Sequence, residues 1–284
     1  GVTMSIIKKL REYLNRPLSF VMFLLIIIST VITALTVVFI IGYIFIKGVP
    51  NLSLDLFSLK YSSSNQSMLP SIINTVYLTA LTLLLAVPIG IFSAIYLAEY
   101  SRKNSFFVKI INIANETLSG IPSIVYGLFG FLAFVISKKW GYSLLAGVVT
   151  LAIMVLPLII RTSQEAMLGV DNTFREASYG LGAGKLRTVF KIVLPSAMPG
   201  ILSGIILAIG RIVGETAALI YTAGTVPEAA TKLTSSSRTI SVHLYCLLNE
   251  GLYTEQAYAT AVVLIVFVVI INALSNALAK KIMK

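Results

Sequence analysis

Charge is what this sequence most lacks. Asp, Glu, Lys and Arg make up 12% of its 284 residues, about half the roughly 25% of a soluble domain. Too little polar surface remains to coat a water-soluble globule, and that class is excluded. A single cysteine, Cys246, excludes an intrachain disulfide and any cysteine-based metal cluster. The lone histidine, His243, has no second partner for metal binding or catalysis and reads as ordinary loop chemistry. No HExxH pair, acidic cluster or Ser–His–Asp set is present, so a membrane-embedded enzyme has no candidate centre.

What the sequence has is apolar runs, with 57% of its residues hydrophobic. The charge-free stretches are Leu18–Ile46, Tyr61–Ala98, Thr117–Ser137, Trp140–Ile160, Ile192–Gly210 and Gln256–Ala279. A helix crosses the hydrocarbon core with about 20 apolar residues. The second span starts near Ser71, because Tyr61–Pro70 is polar, and the fifth is extended past Arg211 and Glu215 to about Tyr221. The expectation is an all-α membrane protein of six transmembrane helices. Continuous runs of this kind exclude the alternating strands of a barrel. A segment 1–17 precedes one transmembrane domain, 18–284. The first run has 29 charge-free residues and no small-residue cleavage pattern, and reads as a retained anchor.

The net charge of +11 would point to nucleic acid on a soluble protein. Here it reports topology. With both termini inside, 15 of the 22 Lys and Arg residues fall on the cytoplasmic side, which predicts an N-in, C-in orientation. The excess therefore implies a lipid bilayer and no nucleic acid.

Breakers interrupt several spans. Gly120-Ile121-Pro122 sits among Thr117, Ser119 and Ser123, a pattern that predicts a bent helix lining a path. Gly127, Gly130, Gly200 and Gly204 would let helices approach closely. Arg211 and Glu215 stand four residues apart, so on one continuous helix they share a face. Charges inside a membrane normally face a bundle interior or a wet cavity. One reading makes them an internal ion pair joined by Glu116. The other makes Arg211 a permanently charged fork for a passing oxyanion, with Glu215 holding it at rest. The two are compatible.

The long inner loop, about 161–195, carries Thr173-Phe174-Arg175-Glu176. This fits a capping box in which Thr173 starts a short helix that ends near Gly180 or Gly182. Gly180–Leu186 only glances at a phosphate-binding loop, since Tyr179 and Leu186 stand where glycine and Ser or Thr are required.

Glu176-Ala177-Ser178, then Gly182, then Ile192-Val193-Leu194-Pro195 resembles the EAA-loop signature of ABC-importer permeases. Gly210–Ala218, with Arg211 and Gly214-Glu215-Thr216, resembles the R-x-x-G-E-T motif of permeases in phosphate-specific ABC importers. Thr117–Gly127 is similar to their third-span segment, and the subunit looks A-type. The resemblance implies a type I ABC importer permease fold in the bacterial cytoplasmic (inner) membrane, carrying inorganic phosphate by alternating access. It implies that Glu176, Ala177, Ser178 and Gly182 meet the ATPase. Arg211, Glu215, Glu116, Ser119 and Ser123 then fall on the substrate path. The implied partners are a homologous second permease, a cytoplasmic ATPase dimer that binds ATP and Mg, and an extracytoplasmic phosphate-binding protein. This last would meet the outer loop, about 222–255, whose apolar positions from Ile240 to Leu247 suit a short helix or strand. The EAA loop also fits permeases for molybdate, sulfate or polyamine. A transporter without an ATPase is the remaining alternative, and the inverted repeats expected of one are not seen.

Overall fold

The structure, a computed structural model, describes residues 17–101 and 105–282. The expected N-terminal segment therefore lies almost wholly outside the described residues. So do Lys8, Lys9, Arg11, Arg16, Arg102, Lys103 and Lys284, which entered the topology count.

Among the described residues the chain is all helix, without strands. The elements are α1 (Pro17–Gly48), α2 (Leu69–Tyr100), α3 (Phe106–Gly120), α4 (Ser123–Ser137) and α5 (Leu144–Leu168). They continue as α6 (Asn172–Gly180), α7 (Lys185–Val213), α8 (Ala217–Thr222), α9 (Ile240–Glu250) and α10 (Thr254–Ile282). Five helices, α1, α2, α5, α7 and α10, are long and apolar enough to cross a membrane. The α3–α4 pair makes a sixth crossing when its two halves are taken together.

The third span is bent, as its breakers predict, and the fifth stops short of its expected end. The third turns by 102° between Gly120 and Ser123. Pro122 pushes the residue before it out of the helical region, and Ile121 is extended, with φ −72° and ψ 130°. The hydroxyl of Tyr126 then donates to the carbonyl of Leu118 at 2.8 Å, giving a partner to one of the groups that the break frees. The fifth span stops at Val213 instead of running to Tyr221, and a separate short helix, α8, follows the break at Gly214–Thr216.

The helix α5 is the axis of the bundle. Two thirds (67%) of its most apolar window is buried inside the chain, against none of the corresponding window of α1. The core joins Leu151, Met154 and Val155 of α5 to Leu78 of α2, Tyr126 of α4, Ile212 of α7, Leu219 of α8 and Val242 of α9. Close approach of α7 to α5 needs glycine, because a Cβ on Gly204 would stand 2.0 Å from Oγ1 of Thr162. A second cluster ties the end of α2 (Ala94, Ile95) to the end of α5 (Met167) and the start of α7 (Val189, Val193). The apolar residues from Ile240 to Leu247 form a helix and not a strand. That helix folds inward, with Ile240, Val242 and Leu247 buried.

Candidate functional site

The two broken spans meet. A Cβ on Gly127 of α4 would lie 2.8 Å from the Cα of Ala218 in α8, so only glycine lets the halves touch there. Broken helices leave polar backbone at membrane depth, which is tolerated where protein or a water-filled cavity receives it.

Arg211 stands in the last turn of α7, at the edge of this junction, and is half-buried. Its guanidinium makes no ion pair among the described residues, and lies within electrostatic range of the Tyr126 hydroxyl. Glu215 is elsewhere engaged. Its Oε1 accepts from the backbone N–H of Thr216 at 3.2 Å and of Ala218 at 3.0 Å, which caps α8. Its own carbonyl accepts from the Ser241 hydroxyl at 2.6 Å. The expected Arg211–Glu215 pair is therefore not formed. The helix ends at Val213, between the two residues, so the four-residue spacing no longer puts them on one helix face.

Glu116 does not join Arg211 either. It lies on α3, exposed, and lines a cavity of about 190 Å3 with Asn112, Asn115, Arg161, Gln164, Glu165 and Leu168. Arg161 bonds Glu165 at 2.9 Å, but the two side chains are 58% and 62% exposed, so the pair adds little stability. Ser119 is exposed and donates to the carbonyl of Asn115 at 2.8 Å, while Ser123 is half-buried where α4 begins. Arg161, Gln164, Asn112 and Asn115 line this cavity with Glu116 but are not among the residues expected from the sequence, where Arg161 reads as a loop charge. Their signal was the three- and four-residue spacing that stacks polar side chains on one helix face.

In the loop after α5 the helix α6 forms as expected, with a different cap. Asp171, not Thr173, begins it, accepting from the backbone N–H of Thr173 at 2.9 Å and from its hydroxyl at 3.0 Å. Those bonds hold the Asp171 carboxyl below its ordinary pKa. Asparagine and aspartate lead threonine as caps, which explains the shift. Gly182 follows with φ +79°, the left-handed turn that glycine accepts. Glu176, Ala177 and Gly182 face outward, whereas Ser178 is buried and hydrogen-bonded to Thr188 at 2.8 Å. The four residues expected to act together thus split into an exposed three and an internal one. Beside them lies a cavity of about 590 Å3 whose lining includes Leu181, Arg187 and Lys191.

His243 is not a loop residue. It is fully buried in α9 with its ring edge-on to Tyr61. Desolvation, then the charge of Arg238, lowers its pKa from 6.5 to about 3. Arg238, in the loop before α9, is only 4% exposed and lies 4.7 Å over the Tyr61 ring.

Residues 86–284 match the family described as binding-protein-dependent transport system inner membrane component. The probable ABC transporter permease protein YqgI of Bacillus subtilis is 32% identical over 81% of this chain and 84% of its own length. The phosphate transport system permease protein PstA of Haemophilus influenzae is 35% identical over 76% of this chain and 77% of its own. Among solved structures, a chain of the bacterial alginate ABC transporter, in complex with its alginate pentasaccharide-bound periplasmic protein, superposes with a TM-score of 0.67. That match spans 96% of this chain and 98% of the other at 17% identity, a likeness of fold.

Proposed function

The chain belongs to the family of binding-protein-dependent transport system inner membrane components, and from that premise we propose that its cargo is inorganic phosphate. It is the permease of an ABC importer, a multi-pass protein of the inner membrane with a type I importer fold. As a transport subunit it depends on a partner for ATP hydrolysis.

The observation that carries the reading is the state of Arg211. A planar guanidinium with no carboxylate partner among the described residues stands half-buried beside the junction of two broken helices. Such a group offers an oxyanion paired N–H donors and a charge that no physiological pH removes. Asn112, Asn115, Glu116, Ser119, Arg161 and Gln164 extend polar surface along α3 and α5, on faces that this chain leaves open. Glu116 and Glu165 in that stretch weaken anion binding beside Arg161, and a path needs sites that release. The phosphate permease named among the relatives supports the same cargo.

A homologous second permease covers the open faces of α3 and α5. A phosphate-binding protein delivers from the outer side. A cytoplasmic ATPase dimer, holding ATP and Mg, docks on Glu176, Ala177 and Gly182. Both termini of the chain then lie inside.

The test is a proteoliposome assay with both permeases, the ATPase and the binding protein. Labelled phosphate should accumulate with ATP, and excess sulfate or molybdate should not compete. Competition by either anion, or uptake without ATP, would overturn the reading.

A further inference from the structure

The turn that ends α2 is one of three widely wound segments among the described residues, and it holds more than its own helix. Over Tyr96–Tyr100 the backbone widens to i→i+5 bonding, and Ser101 donates to the carbonyl of Tyr96 at 2.9 Å. Such wide turns displace side chains from their regular helical positions and recur at functional places. Here the displaced residues are Glu99 and Tyr100, and both reach the loop that contains α6.

Arg175 of α6 meets Glu99 at 2.6 Å through Nη2 and at 3.1 Å through Nε, with the two side chains only 13% and 7% exposed. The remaining N–H groups are used as well. Nη2 donates to the carbonyl of Met167 at 2.8 Å, and Nη1 to that of Val170 at 2.7 Å and to Oδ1 of Asn172 at 3.4 Å. A guanidinium has five donors, and each has a partner. One side chain therefore ties three pieces together: the end of α2, the exit of α5 and the start of α6. A second contact runs in parallel, with Nζ of Lys185 standing 4.9 Å over the Tyr100 ring. Arg175 turns inward while its neighbours Glu176 and Ala177 face out.

We propose that Arg175 and Glu99 are positioning residues for energy coupling. They lock α6 to the ends of α2 and α5, so that a pull applied to the outward face of α6 moves both spans as one body. Without the lock, the Ser178–Thr188 bond still holds α6 to the start of α7, but its tie to α2 and α5 is reduced to the short linker Gly169–Asp171, where its displacement would be absorbed. This rests on the proposed docking of an ATPase on α6.

Because Cys246 is the only cysteine, a Cys246→Ser background allows a direct test in the full complex with inorganic phosphate as cargo. Glu99→Cys with Arg175→Cys removes the pair, and a flexible bis-methanethiosulfonate linker then restores a covalent tie. The expected result for the unlinked variant is normal copurification of the ATPase, with phosphate transported per ATP hydrolysed lower by about tenfold, the scale of a typical coupling energy. Linking should recover most of it. Glu99→Gln, a milder change, should lower the same ratio without altering ATPase binding. An unchanged ratio in Glu99→Gln, or a linked variant that stays inactive while its ATPase remains bound, would overturn the lock. Failure of the ATPase to copurify with the Cys246→Ser parent would instead overturn the docking reading beneath it.

Discussion

Arg175 and Arg211 are the same side chain in two opposite conditions. In the loop after α5, Arg175 spends all five donors on a carboxylate, two carbonyls and an amide oxygen. At the break after α7, Arg211 is half-buried and makes no ion pair among the described residues. The acids differ in the same way. Glu99 is consumed by Arg175, whereas Glu215 turns from Arg211 and caps α8. A saturated guanidinium fixes geometry, and an unsaturated one is available to a ligand. On the proposed function, the contrast separates the part of the protein that transmits motion from the part that meets cargo.

The contrast breaks first at Glu215. If this residue is a cap, Glu215→Ala should destabilise the protein by about 1–3 kcal/mol, because the buried N–H of Ala218 and the part-buried N–H of Thr216 lose their acceptor. Glu215→Gln keeps a carbonyl oxygen in place and should stay within about 1 kcal/mol of the parent. Thermal unfolding in detergent measures both. An ion-pair role would make Gln as damaging as Ala.

An effect confined to acid pH belongs to His243, which lies in neither region. Its pKa is lowered from 6.5 to about 3, so between those values the unfolded chain binds a proton that the folded one refuses. Its contribution to stability is therefore complete above pH 6.5 and falls away as the pH drops toward 3. His243→Gln should flatten the acid limb of a melting-temperature profile and leave its neutral limb parallel to the parent's. An acid limb as steep as the parent's would mean that the imidazole titrates near its ordinary value.

The spans were legible because membrane depth demands long apolar runs, and that demand leaves a record in composition. α6 was legible from Gly182 and the polar residues before it. Two things were not. Gly214 and Thr216 end α7, but in a span that continues apolar through Leu219 and Ile220 the run of hydropathy hides the stop. The four-residue spacing of Arg211 and Glu215 then suggested a pair that the break undoes. Arg175 was hidden for another reason. Its partner Glu99 lies 76 residues away, and no local pattern in the sequence records such a contact. His243 and Arg238 illustrate the same limit, since a polar segment between spans gives no sign that it folds back into the bundle.

The central claim is that Arg211, without an ion-pair partner among the described residues, meets the anion. The most direct measurement is phosphate-stimulated ATP hydrolysis in the assembled complex, parent against Arg211→Gln, with binding protein and ATPase present at equal amounts. Loss of a charge-assisted contact predicts a fall in stimulation of about tenfold or more, with basal hydrolysis and ATPase copurification intact. Phosphate stimulation of Arg211→Gln equal to that of the parent would contradict the account.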